Sequence, residues 1–184
     1  MRILGIDPGS ETTGWGVIDG DARRYCLVEF GTVKARARER FAARLLKISD
    51  GVERLIEKFR PDVCAVEEAF FAVNAKTALK LGQVRGVVLV AAERAGVEIA
   101  EYAPRLIKQT VVGYGAAEKQ QVQEMVRILL KLREAPAPLD ASDALAVAIT
   151  HLHHAGLPAR LKTAPARARL EALLAANPRR RAPR

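Results

Sequence analysis

The sequence predicts an α/β fold, a five-stranded mixed sheet with helices on both faces. Three observations carry this expectation. The first third of the chain reads as three consecutive strands joined by tight-turn residues. Two later short apolar runs are separated by segments with helical spacing, and a strand–helix–strand crossover implies parallel pairing. Hydrophobic residues make up 49% of the 184 residues, enough for one core of ordinary size.

Arg2–Asp7 is a continuous apolar strand, with Gly14–Asp19 and Arg24–Lys34 as antiparallel neighbours. Asp7-Pro8-Gly9-Ser10 and Asp19-Gly20-Asp21 supply the turn chemistry between them. From Ala37 to Phe59 apolar residues recur at Phe41, Leu45, Ile48, Val52, Leu55, Ile56 and Phe59, a helix ended by Pro61. Asp62–Glu67 is a second buried strand. A long helix follows over about Asn74–Ala95, stopped by Gly96, and Val97–Tyr102 is the last strand. Shorter helices are expected over Pro104–Val111 and Ala117–Arg133, then a final helix over Asp140–His154 beyond the proline-rich Ala135–Pro138. Residues 1–156 form the expected folded domain. Residues 157–184 are an Ala/Pro/Arg-rich tail, expected to be flexible.

The net charge of +9 points to a polyanionic partner, but it is unevenly placed. The tail holds eight Lys/Arg against one acid, so residues 1–156 carry only +2. No apolar run approaches the ~18–20 residues of a membrane span. With no signal-peptide pattern at its N-terminus, the chain is expected in the cytoplasm. Cys26 and Cys64 lie in apolar strand-like runs and are expected to be small buried hydrophobes.

Asp7 and Glu67 end the two apolar strands that should pair in parallel, where ligands gather in α/β sheets. Asp140 and Asp143 lie three apart on one helix face. Four acids at one point repel and call for a cation, and oxygen-only ligation favours Mg²⁺ or Mn²⁺ over Zn²⁺. Two such ions suit phosphodiester hydrolysis. Each piece also has a plainer reading. Asp7-Pro8-Gly9 alone suits a tight turn, Glu67 suits a pairing with lysine, and Asp140 with Asp143 suits an N-cap and its N3 acid.

These segments resemble the RuvC family of Holliday-junction resolvases, within the ribonuclease H-like superfamily. The resemblance rests on Ile3–Ser10, Thr13–Ile18, Ala65–Phe70 with Asn74, Ala78–Gln83 and Arg85-Gly86, Lys108–Gly113 with Gly115 and Glu118-Lys119, and Asp140–Ala146. It implies a homodimeric crossover junction endodeoxyribonuclease of DNA recombination and repair. Such an enzyme nicks two strands of a four-way junction symmetrically with Mg²⁺ or Mn²⁺, leaving 5′-phosphate and 3′-hydroxyl ends. It also implies that Asp7, Glu67, Asp140 and Asp143 are the metal ligands, Asp140 being the most exchangeable. Phe70 would stack on junction DNA, with Phe71 turned inward. Asn74, Lys76, Lys80 and Arg85 would touch DNA, and Lys108 and Lys119 would lie by the scissile phosphate. A branch-migration helicase complex of RuvA and RuvB is the implied partner.

Gly82 and Gly86, one turn apart, permit close helix approach, within the chain or across a dimer. His151, His153 and His154 are expected as cations at a helix C-terminus, with a metal role for His151 less favoured. Three rival readings remain. An actin or sugar-kinase-like ATPase would need a second glycine-rich phosphate loop. A binding module without catalysis is opposed by the full set of four acids. Cleavage of RNA–DNA hybrids would share fold and metals.

Overall fold

The computed structural model describes residues 1–68 and 74–155. The elements run β1 (Arg2–Asp7), β2 (Thr12–Gly20), β3 (Tyr25–Lys34), α1 (Phe41–Phe59), β4 (Val63–Glu67), α2 (Ala75–Arg94), β5 (Glu98–Tyr102), α3 (Pro104–Val112), α4 (Lys119–Leu129) and α5 (Leu139–Ala155). The five strands form one mixed sheet in the order β3-β2-β1-β4-β5. β1 pairs antiparallel with β2, as β2 does with β3, while β1–β4 and β4–β5 are parallel.

The two-residue period of the strands divides the core between the faces. Leu4, Ile6, Cys64 and Val66 join the cluster that α1 and α2 cover. Ile3, Val63 and Ala65 join the cluster covered by α3, α4 and α5. By the same alternation Asp7 and Glu67 belong to the α5 face, and Glu68 to the opposite one.

α5 lies against β1 and β2 so closely that glycine is required beneath it. A Cβ on Gly5 would fall on the Ala144 carbonyl oxygen, and one on Gly14 on that of Asp140. Every residue of α5 from Ala144 to Leu152 is buried, which explains its almost wholly apolar composition.

Several boundaries differ from the sequence expectation. α1 starts at Phe41 rather than Ala37, because Ala35 is buried and the next residues turn, Glu39 N–H donating to the Arg36 carbonyl. α4 starts at Lys119 rather than Ala117, set by a capping box between Glu118 and Gln121. α5 starts at Leu139, so Asp140 lies within its first turn and is not the N-cap. Cys64 is buried as expected. Cys26 is exposed, because β3 is an edge strand whose outer positions face water. Among the described residues no helix is long and apolar enough to cross a membrane. The tail, residues 157–184, lies outside the described residues.

Candidate active site

Asp7 closes β1 and Glu67 closes β4. The parallel register, which aligns Ile6 with Val66, brings the two acids side by side. Each carboxyl lies within the electrostatic reach of the other, so the two acids titrate as neighbours. α5 crosses the same sheet end and delivers Asp143. Asp7, Glu67 and Asp143 line a cavity of about 120 Å³ together with Lys108, Lys119 and the apolar wall of Pro104, Ile107, Val122 and Ala146.

The electrostatics record the crowding. Burial pushes Asp7 up to about 7, and the negative charge of Asp143 adds to the rise. Burial likewise pushes Glu67 up to about 8, with Asp7 as the next cause.

Lys119 supplies the opposing charge. Its ammonium lies 2.9 Å from an Asp143 carboxylate oxygen, and that bond holds its pKa up. Lys119 is the first residue of α4, where the helix dipole disfavours a cation. The carboxylates offset that penalty.

Asp140 is a further source of negative charge on Asp7, but it does not line the cavity. Three of the four expected ligands thus line the cavity, and Asp140 adds its charge from outside that lining. Among the described residues no three His, Cys, Asp or Glu side chains already stand as a metal cage. Carboxylates at ~4 Å repel by about 4 kcal/mol at an effective dielectric of ~20, and here the compensating charge on Asp143 is the Lys119 ammonium. The donor set still fits a hard divalent cation. It consists of oxygens alone, and three of the acids open on one small cavity.

The other expected residues divide by environment. Lys108 borders the cavity. Asn74 caps α2, its side-chain oxygen accepting from Thr77 N–H at 2.9 Å. Lys76 is exposed, and Lys80 lies over the Phe41 ring at 5.9 Å. Arg85 is ion-paired with Glu101 of β5. Phe70 and Phe71 lie outside the described residues.

The histidines have their own partners. His151 Nδ1 shares a hydrogen bond with the Tyr102 hydroxyl at 3.0 Å, and His154 Nε2 lies 3.4 Å from Thr110 Oγ1. Burial lowers the pKa of His153, which opposes the expected role of a cation at the helix end. Arg44 was not foreseen. It is buried, and its guanidinium donates to the Ser10 carbonyl, with Nε at 2.9 Å. This ties the loop after Asp7 to α1. Its position on the apolar side of a helical repeat was the available sign.

A β3-β2-β1-β4-β5 sheet with acids at its central strand ends, crossed by an acid-bearing helix, defines the ribonuclease H-like class. A yeast mitochondrial Holliday junction resolvase shares this fold at 15% identity and a TM-score of 0.61, over 82% of this chain and 77% of that one. The family model for crossover junction endodeoxyribonuclease RuvC matches residues 3–151, and the chain belongs to that family. The RuvC of Geobacter sulfurreducens is 50% identical over 163 residues, 89% of this chain and 99% of that protein. The Thermus thermophilus RuvC, solved in complex with Holliday junction substrate, aligns with a TM-score of 0.79 and 40% identity, covering 84% of this chain and 94% of that one.

Proposed function

We propose that this chain resolves Holliday junctions by metal-dependent nicking of two opposed strands, leaving 5′-phosphate and 3′-hydroxyl ends. The observation that carries the reading is the convergence of Asp7, Glu67 and Asp143 on one cavity beside Lys119, in a chain of the RuvC family.

Asp7, Glu67, Asp143 and Asp140 would hold the metal, Asp140 from outside the lining of the cavity. Mg²⁺, or Mn²⁺ in its place, would lower the pKa of the attacking water and stabilise the leaving oxygen, two ions being the suitable number. Lys119 and Lys108 would stabilise charge growing on the scissile phosphate. Lys119 would exchange its bond to Asp143 for one to the phosphate as the acids take up their metal. The apolar wall of Ile107, Val122 and Ala146 limits water access from the core side.

A homodimer would place two such centres on the two-fold-related strands of a junction. It is supported by the outer face of α2. Leu79 and Val90 are 70% and 50% exposed there, and among the described residues a Cβ at Gly82 or Gly86 would meet nothing within 4 Å. Family membership supports work in the cytoplasm alongside the RuvA and RuvB branch-migration complex. It also supports DNA contacts by Phe70, Asn74, Lys76, Lys80 and Arg85, the last after release from Glu101.

The test is incubation with labelled four-way junction, linear duplex and RNA–DNA hybrid, in Mg²⁺ and in Ca²⁺. Cutting of the junction alone, in Mg²⁺ or Mn²⁺ only, is expected. Asp7→Asn should bind the junction and not cut it. Wild-type cutting rates in that variant would refute the assignment of the carboxylates.

A further inference from the structure

Within residues 1–156, positive charge is concentrated in one stretch that the proposed chemistry does not use. Residues 34–58 hold eight Lys/Arg against four acids, whereas the other residues of 1–156 hold fourteen against sixteen. Lys34, Arg36, Arg38 and Arg40 are all exposed. They alternate with Ala35, which is 1% exposed and anchors the loop, its N–H donating to the Glu11 carbonyl at 2.9 Å. The loop is braced again where Glu39 accepts from Lys47 at 2.6 Å.

Its position relative to the acids is fixed by hydrogen bonds. Ala35 binds Glu11 and Arg44 binds Ser10, and both partners lie in the turn that follows Asp7. The arginine loop therefore stands at the same end of the sheet as the catalytic acids. From it a groove of about 590 Å³ runs between β3 and α1, lined by Lys34, Lys47, Arg54 and Lys58 with Asp50 as the lone acid. Lys58 is held by Glu29 and Lys47 by Glu39, which leaves Lys34 and Arg54 as the groove's cations outside an ion pair among the described residues.

We infer that Lys34, Arg36, Arg38, Arg40 and Arg54 form a second phosphate-binding surface, which holds the backbone of a duplex arm flanking the cut. A row of exposed guanidiniums on a braced loop suits backbone phosphates, whose contacts position DNA without reading its sequence. The inference rests on the junction-cutting reading above. It adds that an arm is gripped on the β3 side of the protein, around the sheet edge from the cavity.

The experiment compares R36Q/R38Q with R23Q/R24Q, using the full chain, a labelled four-way junction and Ca²⁺, over a range of salt. Both variants lose two charges, so net charge is matched. Arg23 and Arg24 are exposed in the β2–β3 turn, at the other end of β3, roughly 30 Å away along ten strand residues. R36Q/R38Q should bind roughly tenfold or more weakly, its salt slope reduced by about 0.9 per lost contact. R23Q/R24Q should bind as the wild type does. Equal weakening in both variants, or none in R36Q/R38Q, overturns the inference. R36K/R38K should regain most of the affinity if R36Q/R38Q fails for loss of charge, and no recovery in a folded R36K/R38K also counts against it. Failure of the wild type itself to bind junctions would instead overturn the junction-cutting reading.

Discussion

At the scale of single residues, Asp7 and Glu67 make the fold sensitive to pH. Their folded pKa values lie above the ordinary carboxylate range, at about 7 and about 8. The folded state therefore binds more protons than the unfolded chain between about pH 4 and 8, and stability falls as pH rises through that window. In chelator, the melting temperature should drop between pH 5 and pH 8. The slope should shrink in Asp7→Asn, and added Mg²⁺ should raise the melting temperature most at the high-pH end. A pH-independent melting temperature in chelator would contradict the buried-acid account. Lys119 is the residue whose removal should affect chemistry most for its exposure. Lys119→Ala should slow single-turnover junction cutting by about 10²–10³-fold, the range found when one electrostatic donor to a transition state is lost. An unchanged rate would limit Lys119 to its ion pair with Asp143.

At the scale of elements, α5 is the part that fold and site share. One of its ends carries Asp140 and Asp143, while Ala144 to Leu152 fill the core. Its height over β1 and β2 is set by the bare backbones of Gly5 and Gly14. Gly14→Ala drives a methyl into the Asp140 carbonyl, which cannot swing aside as a side chain would. It should cost about 1–3 kcal/mol, the ordinary range for overpacking. It should also weaken Mg²⁺ binding, because α5 moves its acids away from Asp7. Leu145→Ala, fully buried on the same helix, should cost about 2–5 kcal/mol while leaving metal affinity closer to wild type. Urea unfolding and metal titration of both variants check the contrast. Equal metal affinities would separate α5 placement from the site.

At the scale of the whole molecule, the two helical layers have different tasks. α3, α4 and α5 enclose the acids. α1 and α2 close the opposite face, and α2 leaves Leu79 and Val90 in solvent. Leu79→Glu with Val90→Glu should convert a dimer to a monomer in sedimentation, without unfolding a helix whose buried side is Val84, Val88, Ala91 and Ala92. An unchanged sedimentation coefficient would remove this face as the dimer surface. Junction cutting by such a monomer should be reduced and should no longer pair nicks on opposite strands.

The sequence by itself determined the order of strands and helices, because period-two and period-3.6 apolar patterns and turn residues are local properties. It also marked Asp7 and Glu67, since an acid closing an apolar strand can be read from its own neighbours. Asp143 was marked by its spacing from Asp140 on one helix face and Lys119 only by motif resemblance, and nothing near either in the chain shows that they meet at 2.9 Å. The tertiary structure alone decided the rest. It placed Asp140 inside the first turn of α5, where the sequence suggested a cap, and outside the lining of the cavity. It put Arg85 on Glu101. It joined the arginine loop to the turn after Asp7 through Ala35 and Arg44. These are contacts between segments far apart in the chain, fixed by sheet register and helix packing, which leave no periodic trace in the sequence.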